Sequence, residues 1–379
     1  MSLDDHLRSR LHARREAGLL RVLRPLEDVG PTVRHEGRDF LNFSSNDYLG
    51  LAAEPALRDA LREATAAGAP ASRLIVGHLK AHEEVEAALA ALVARPASLL
   101  FSSGYAANVG TVPALVGPED LILSDELNHA SLIDGCRLSR AKVRIFPHAD
   151  LEALERLLRD RPAAGRVLVV TDAVFSMDGD RAPLRALAEL CQTHGAWLYV
   201  DEAHTVGVYG PAGAGLCAEL GVEPDVLVGT LGKAFGVAGA FVAGSSALRE
   251  WLLNVARSFV YSTAYPAALL PVLRAAIRQV RAADDRRAQL HAHATRLRTG
   301  LRALGFESPG DSPIVPWILG SNEAALTTSA KLADEGILGL AIRPPTVPVG
   351  TARLRLTPMA THTSSHLDQV LEAARRIER

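Results

Sequence analysis

Short apolar segments alternate with helical stretches over much of this chain, and this alternation constrains the fold more than any other feature of the sequence. Between about residues 55 and 265 most of the intervening stretches carry apolar residues at intervals of three and four. The strand-like segments are 98–101, 121–125, 143–146, 166–175, 196–203, 225–231 and 239–244. Unalternating apolar strands joined by helices predict a mainly parallel sheet buried on both faces.

The regions outside this alternation predict further parts of the fold. We expect an N-terminal helix and strand segment over residues 1–50, a large α/β domain over 51–275, and a smaller C-terminal α+β domain over 276–379.

Three helices outside the alternating region can be predicted individually. The first is expected at about 3–22, docked on the surface through a stripe of Leu3, Leu7 and Leu11. A long Arg- and Ala-rich helical stretch is expected at 266–304, and a final helix at 364–378.

Composition excludes several classes of protein. The 379 residues carry 41 basic and 43 acidic side chains, a net charge of −2, which argues against a nucleic-acid or anionic-membrane partner. No apolar run reaches the ~18 residues of a membrane span, and the N-terminus lacks the apolar core of a secretion signal, so we expect a cytoplasmic protein. Cys136, Cys191 and Cys217 lack metal-binding spacing, which predicts buried thiols and no metal site.

Lysine is rare among the basic residues of this chain. Only Lys80, Lys142, Lys233 and Lys331 are present, and all other basic residues are arginine. Any chemistry that needs an amine therefore has few candidates.

Polar residues gather after five of the predicted strands, at 102–108, 126–129, 176–180, 201–204 and 230–233. Ligands of an open parallel sheet bind beyond the carboxyl ends of its strands. Each residue alone has an ordinary explanation as a helix cap or a solvated side chain. Together they bring hydroxyls, imidazoles, a carboxylate and a lysine to one edge of the sheet.

The tetrapeptide Asp-Glu-Ala-His at 201–204 also occurs in helicases. That chemistry needs a phosphate-binding loop of the form GxxxxGK[ST], and residues 227–235 lack its first glycine and its final hydroxyl. An ATPase is therefore excluded.

A lysine, a carboxylate, a ring-stacking side chain and a phosphate-binding turn together favour a pyridoxal 5'-phosphate (PLP) site. The amine reacts with the aldehyde of the cofactor, and the carboxylate keeps the ring nitrogen protonated. The turn at 102–105, which opens a helix, suits the phosphate.

Motifs along nearly the whole chain resemble those of the α-oxoamine synthases. They lie in order at 42–51, 103–108, 128–135, 174–184, 200–210, 229–241, 261–268 and 343–357. The resemblance implies a fold-type I, aminotransferase-like α/β fold with a smaller domain formed by both termini. It also implies a homodimer with sites at the subunit interface, where Ser262 and Thr263 are expected to contribute.

The same resemblance implies roles for individual residues around PLP. Lys233 matches the Schiff-base lysine, Asp201 the partner of the ring nitrogen, His204 the histidine near the ring oxygen, and His129 the histidine that stacks on the ring. Further cofactor contacts are expected from Gly104, Tyr105, Ser176 and Thr230.

Substrate contacts are implied at both ends of the chain. Arg21 matches an acyl-site arginine, Thr346 a substrate contact, and Arg355 the anchor of the amino-acid carboxylate, with Arg353 on the same strand face. Asn46 is expected near the site, and His129 is also expected to contact substrate.

Within the family, the chain looks most similar to the members of the biotin pathway. These join L-alanine to a pimeloyl thioester carried on coenzyme A or acyl carrier protein, with loss of carbon dioxide. Glycine-using relatives, such as 2-amino-3-oxobutyrate coenzyme A ligase and 5-aminolevulinate synthase, remain alternatives. So does a non-catalytic PLP-binding regulator, although no DNA-binding region is left unassigned. Serine palmitoyltransferase is disfavoured because no extended acyl-binding segment is visible.

One position departs from the family pattern. Val76 stands where the family commonly has serine, while the glycine of the following turn, Gly77, is retained. We expect altered packing or altered substrate contacts near the acyl site, or a neutral change.

Overall fold

A computed structural model of the chain describes residues 1–161 and 165–377. The strands are β1 (Thr32–His35), β2 (Arg38–Asn42), β3 (Ala97–Phe101), β4 (Leu121–Asp125), β5 (Lys142–Phe146), β6 (Val167–Asp172), β7 (Trp197–Asp201), β8 (Val226–Thr230), β9 (Ala240–Gly244), β10 (Val315–Gly320), β11 (Ile337–Leu338), β12 (Ala341–Ile342) and β13 (Ala352–Leu356).

The α-helices are α1 (Leu3–Glu16), α2 (Pro55–Arg62), α3 (Lys80–Leu92), α4 (Gly104–Leu115), α5 (Ala130–Ser139), α6 (Leu151–Arg159), α7 (Leu184–His194), α8 (Leu216–Leu220), α9 (Ser246–Val255), α10 (Arg257–Val260), α11 (Leu269–Arg281), α12 (Asp284–Ala303), α13 (Asn322–Asp334) and α14 (Ser364–Ile377). A π-helical turn covers Arg73–Gly77. Glu378 of the predicted final helix lies outside the described residues.

The chain divides into two compact units. The larger contains Asn46–Ser176 and Asp180–Ala288, and the smaller contains Met1–Ser45, Met177–Gly179 and Gln289–Arg379. The smaller unit is thus built from both ends of the chain.

A seven-stranded sheet forms the centre of the larger unit, in the order β3-β9-β8-β7-β6-β4-β5. The pairs among β4 to β8 are parallel, and only β9 runs antiparallel to its neighbours in this sheet. The predicted mainly parallel sheet is confirmed. β6 ends at Asp172 and not at 175, because the chain turns back and Val174 pairs with Arg181.

Apolar side chains on both faces of this sheet form the core of the larger unit. On one face the buried side chains include Leu99, Ile122, Leu168, Val170, Tyr199, Val228 and Val242. On the other face they include Leu100, Leu123, Val169, Val200 and Phe241. Burying each large apolar side chain contributes roughly 1.5–3 kcal/mol. The helices add one apolar face each, as in α6, where Leu154 and Leu158 are buried and Asp150 accepts a hydrogen bond from Ala153 N (2.8 Å) at the helix start.

The smaller unit has two three-stranded sheets, β1-β2-β11 and β10-β13-β12. Its core includes Phe43, Trp317, Leu354 and Val370. The predicted α+β character of this part is confirmed. Within the described residues no helix has the length and apolarity that a bilayer span requires.

Two helix predictions need correction. α1 ends at Glu16, none of its residues is buried, and Leu3 is 73% exposed, so the predicted docking through its leucines is wrong. One leucine per turn gives too narrow an apolar stripe to dock a helix whose other residues are almost all polar. The stretch 266–304 is two helices, because Asp284 and Asp285 favour a new helix start, where their charges interact well with the helix dipole.

A histidine between two carboxylates connects loops at the carboxyl edge of the large sheet. His148 Nδ1 lies 3.0 Å from Asp125 Oδ1, and His148 Nε2 lies 2.7 Å from Asp180 Oδ2. Burial alone would lower the pKa of His148, but the hydrogen bonds and charges of the two carboxylates raise it to about 10. The imidazolium therefore holds the loops together at neutral pH.

The two contacts of His148 predict that the stability of the fold depends on pH. Because the folded state binds the His148 proton more tightly than the unfolded state, the folded state gains its full stabilisation below the ordinary pKa of histidine. This stabilisation is lost as the pH rises towards about 10. Between pH 7 and pH 10 the free energy of unfolding should fall by up to about 1.4 kcal/mol per pH unit more in the wild type than in His148→Gln. Urea unfolding across this range measures the difference. His6→Gln, at an exposed histidine in α1, is the control and should follow the wild type.

Candidate functional site

The last residues of three neighbouring parallel strands bring polar side chains to one edge of the large sheet. β6 ends in Asp172, β7 in Asp201 and β8 in Thr230. The strand register places Asp172 directly opposite Asp201. This edge contains most of the residues that were predicted to surround the cofactor.

Lys233 lies in the turn after β8, next to a histidine that follows β7. Its Nζ is 2.8 Å from His204 Nε2, and His204 Nδ1 is 2.6 Å from the hydroxyl of Tyr48. Tyr48 and His204 are buried and Lys233 is partly buried, whereas the other three lysines of the chain are exposed. The structure therefore sets Lys233 apart from them by its surroundings.

Asp201 is a buried carboxylate with a donor on each oxygen. Asn108 Nδ2 donates to Oδ2 (2.7 Å), and Ala203 N donates to Oδ1 (2.9 Å). These two hydrogen bonds fix the plane of the carboxylate.

Asp172 is a second buried carboxyl group beside Asp201. Burial, followed by the charge of Asp201, raises the pKa of Asp172 well above its ordinary value. Its Oδ2 accepts a hydrogen bond from His129 N (2.7 Å). Asp172 therefore fixes the backbone of His129.

His129 begins α5 and its side chain caps that helix. Its Nδ1 is 2.8 Å from Ser131 Oγ and accepts from Ser131 N (3.3 Å). Loss of hydration lowers the pKa of His129, the charge of Asp201 opposes this, and the charge of Lys233 adds to it. His129 thus lies within the electrostatic reach of both other groups.

The turn after β3 has the features of an anion site. Ser103 caps α4 by accepting from Ala106 N (3.1 Å), and the first N–H groups of a helix lack partners within it. A Cβ added to Gly104 would lie 3.9 Å from Thr230 Oγ1, so the hydroxyl of Thr230 is close to this helix start. Tyr105 is half exposed and donates to Asp134 Oδ2 (2.7 Å).

The motif at 201–204 is divided between the site and the core. Asp201 and His204 lie in the site, but Glu202 is fully buried and its Oε1 accepts from Cys217 N (2.6 Å). Burial raises the pKa of Glu202 to about 7. Glu202 therefore supports the fold beneath the site.

Ser176, Asn46 and Val76 are three further residues that were predicted to lie in or near the site. Ser176 is half-buried in the turn after β6, and the carbonyl of Asn46 accepts from Tyr48 N (2.8 Å). Val76 is exposed in the π-helical turn, and a Cβ on Gly77 would lie 2.1 Å from the carbonyl oxygen of Ala71, so only glycine fits there. The effect of Val76 on an acyl site stays a prediction.

Three of the predicted substrate residues, Arg21, Thr346 and Arg355, lie in the smaller unit, whereas Asn46 and His129 lie in the larger one. Arg21 donates to Thr346 Oγ1 (3.1 Å), which brings together two residues predicted from opposite ends of the chain. Arg355 is buried on β13, and its Nη1 donates to Thr357 Oγ1 (3.1 Å). Arg353 forms an ion pair with Asp178.

Sequence reasoning missed five residues of the site: Tyr48, Asn108, Ser131, Asp172 and Tyr199. Two of them carried a usable signal. Asp172 ends a predicted apolar strand, and Asn108 is a polar residue one helical turn after Gly104 in an apolar helix. In the described part of the chain, no group of three or more potential ligands is suitably placed to hold a metal ion.

Comparisons with known proteins agree with this geometry. The family model described as Aminotransferase class I and II matches residues 38–373. The 8-amino-7-oxononanoate synthase of Marinobacter nauticus is 49% identical over 96% of this chain and 94% of its own. That of Anaeromyxobacter dehalogenans is 50% identical over 97% and 94%. A serine palmitoyltransferase structure from S. paucimobilis, with PLP and myriocin bound, superposes with a TM-score of 0.93 at 31% identity over 98% of this chain and 96% of that one. The chain therefore belongs to the class I and II aminotransferase family and, within it, to the 8-amino-7-oxononanoate synthases.

Proposed function

We propose that this chain condenses L-alanine with a pimeloyl thioester, with release of carbon dioxide and the thiol, to give 8-amino-7-oxononanoate in biotin biosynthesis. The observation that carries the proposal is the contact of Lys233 Nζ with His204 Nε2 (2.8 Å) at the strand ends that also hold Asp201. The identity of 49–50% to 8-amino-7-oxononanoate synthases exceeds the 31% to serine palmitoyltransferase and favours this member of the family.

The residues present fit PLP. The helix start at Gly104 and Tyr105, with Thr230 beside it, would hold the phosphate. The carboxylate of Asp201 would pair with the ring nitrogen, the imidazole of His129 would lie against the ring, and Ser176 would complete the contacts. When bound, PLP supplies an electron-poor ring that stabilises negative charge at the Cα atom of the amino acid.

Lys233 is the group that moves the Cα proton in this proposal. Its amine must be neutral to accept a proton, and His204 Nε2, 2.8 Å away, orients it. Asp201 is the proposed partner of the ring nitrogen, and its two donors hold its carboxylate in place.

Arg355 is the proposed anchor for the carboxylate of alanine. Its neighbour on the same strand, Arg353, is engaged by Asp178 and by the carbonyl oxygen of Met177 (3.4 Å), so it serves the fold. Arg21 and Thr346, which are in contact, are the proposed acyl-site pair. A guanidinium suits the recognition of a carboxylate because its planar fork donates two hydrogen bonds.

We also propose a homodimer in the cytoplasm, with the acyl group on coenzyme A or acyl carrier protein. Leu74, Ile75 and Val76 form a run of exposed apolar side chains in the π-helical turn, which supports burial against a second copy. The three free cysteines suit a reducing compartment.

A substrate matrix tests the function. Alanine, glycine and serine are each combined with pimeloyl, acetyl and palmitoyl thioesters, and thiol release and product mass are measured. Alanine with the pimeloyl thioester should exceed every other pair by about tenfold or more, since one methyl group is worth roughly 10–200-fold in a fitted pocket. A preference for glycine with acetyl, or serine with palmitoyl, would replace the proposal with the corresponding relative.

Lys233→Ala should abolish the covalent capture of PLP and reduce turnover by about 10²-fold or more, because it removes the amine that moves the Cα proton in this proposal. Absorbance of the purified protein and thiol release measure the two effects. Lys331→Ala, at an exposed lysine in α13, should leave both unchanged. Turnover near the wild-type rate in Lys233→Ala would contradict the assignment.

Asp201→Asn should retain PLP yet slow exchange of the alanine Cα proton with deuterated water by on the order of 10²-fold. The reason is that loss of a buried charge partner costs about 3 kcal/mol. Proton NMR of alanine follows the exchange. Asp150→Asn is the control, because asparagine also caps α6. An unchanged exchange rate in Asp201→Asn would count against the role of Asp201.

A further inference from the structure

Asn108 is a buried amide between the sheet and α5. It lies one turn into α4, and its side chain has no solvent exposure. A primary amide offers two hydrogens and one acceptor oxygen, and a buried amide is costly unless these are satisfied. The partners of Asn108 therefore define its role.

Both hydrogens and the oxygen of the Asn108 amide form hydrogen bonds. Asn108 Nδ2 donates to Asp201 Oδ2 (2.7 Å) and to Ser131 Oγ (2.8 Å), while Asn108 Oδ1 accepts from the hydroxyl of Tyr199 (2.7 Å). Reversing the amide would set its oxygen against the carboxylate of Asp201. The observed orientation is thus the only one that satisfies all three partners.

The first hydrogen of the amide acts on Asp201. It is the only side-chain hydrogen bond to Asp201 in the described part of the chain, and the other donor is the backbone of Ala203. The carboxylate of Asp201 is the proposed partner of the ring nitrogen. A donor at 2.7 Å fixes the orientation of this carboxylate.

The second hydrogen of the amide acts on His129 through Ser131. His129 Nδ1 accepts a hydrogen bond from Ser131 N (3.3 Å), so the hydroxyl of Ser131, whose Oγ lies 2.8 Å from the same atom, also donates to it. Ser131 Oγ in turn accepts from Asn108. With two donors on Nδ1, the ring of His129 carries its proton on Nε2.

We infer that Asn108 is a positioning residue that orients the carboxylate of Asp201 and sets the tautomer of His129 together. The inference rests on the proposed function for its effect on catalysis, but the effect on His129 is independent of any substrate. A buried amide that only joined α4 to the sheet would set neither property.

The test compares Asn108→Asp and Asn108→Ala with the wild type. Asn108→Asp keeps the shape of the side chain, but an ionised carboxylate has no hydrogen to donate. At pH 8 this variant should therefore bind PLP at least tenfold more weakly than the wild type. The difference in PLP affinity between variant and wild type should become smaller as the pH falls, because the carboxyl group regains a hydrogen. Asn108→Ala should lose affinity by a similar factor at every pH. Val112→Ala, one turn along α4 in the core and outside this network, is the matched control and should change affinity less than threefold.

A second measurement needs neither PLP nor turnover. Nitrogen-15 NMR of histidine-labelled full-length protein, with His129 assigned by comparison with His129→Gln, should show the Nε2–H tautomer in the wild type and Val112→Ala. A mixture of tautomers is expected in Asn108→Ala. Asn108 variants with wild-type affinity, or with an unchanged His129 tautomer, would overturn the inference. A wild type that does not bind PLP would overturn the proposed function, and the tautomer would still decide the role of Asn108.

Discussion

Two buried carboxyl groups, Asp172 and Asp201, lie opposite each other at the ends of β6 and β7, and the rest of the site is arranged around this pair. Two adjacent buried negative charges would be very costly. Burial and the charge of Asp201 raise the pKa of Asp172, which reduces this cost by favouring its neutral form. Asp201 receives the side-chain donor from Asn108. This asymmetry requires α4 to present Asn108 towards the sheet and α5 to begin at His129.

Lys233 is held in place by backbone hydrogen bonds and close contacts in its turn. In the turn after β8, Leu231 N donates to the carbonyl of Gly239 (2.8 Å) and Gly236 N to that of Lys233 (2.9 Å). Gly236 has a φ of +66°, and a Cβ there would lie 2.3 Å from Ala52 N. A larger residue would therefore push this turn away from the segment that follows Tyr48. The glycines around Lys233 thus keep its amine within reach of His204.

Sequence could predict the strands and the residues at their ends because burial on both faces leaves a clear pattern, and polar residues at strand ends interrupt it. Asp201, His204 and Lys233 were found in this way. Side-chain contacts between different strands and helices could not be predicted from the sequence, because they depend on the register of β6 against β7 and on the rotation of α4. The contacts of Asn108 and Asp172 were missed for this reason, and that of Tyr48 was missed because it joins two loops 156 residues apart in the chain. The predicted docking of α1 was wrong because leucines four residues apart form an apolar stripe along a helix, but this spacing does not show that the stripe is wide enough to be buried.

The contrast between lysine and arginine follows from what each position requires. Arg73 is buried against Glu86, and the neighbouring Arg249 donates to the same carboxylate (3.0 Å), so both positions need a permanent cation with several donors. Burial alone would raise the pKa of Glu86, but these two arginines lower it.

Lys233, in the turn after β8, has the opposite requirement. A group that accepts a proton cannot be a permanent cation, because it must first be able to lose a proton. Guanidinium cannot do so at neutral pH, whereas an amine beside an imidazole can. The proposed reaction therefore requires a lysine at position 233, because Lys233 must change its charge, whereas an arginine suits positions such as 73 and 249 that need a permanent cation.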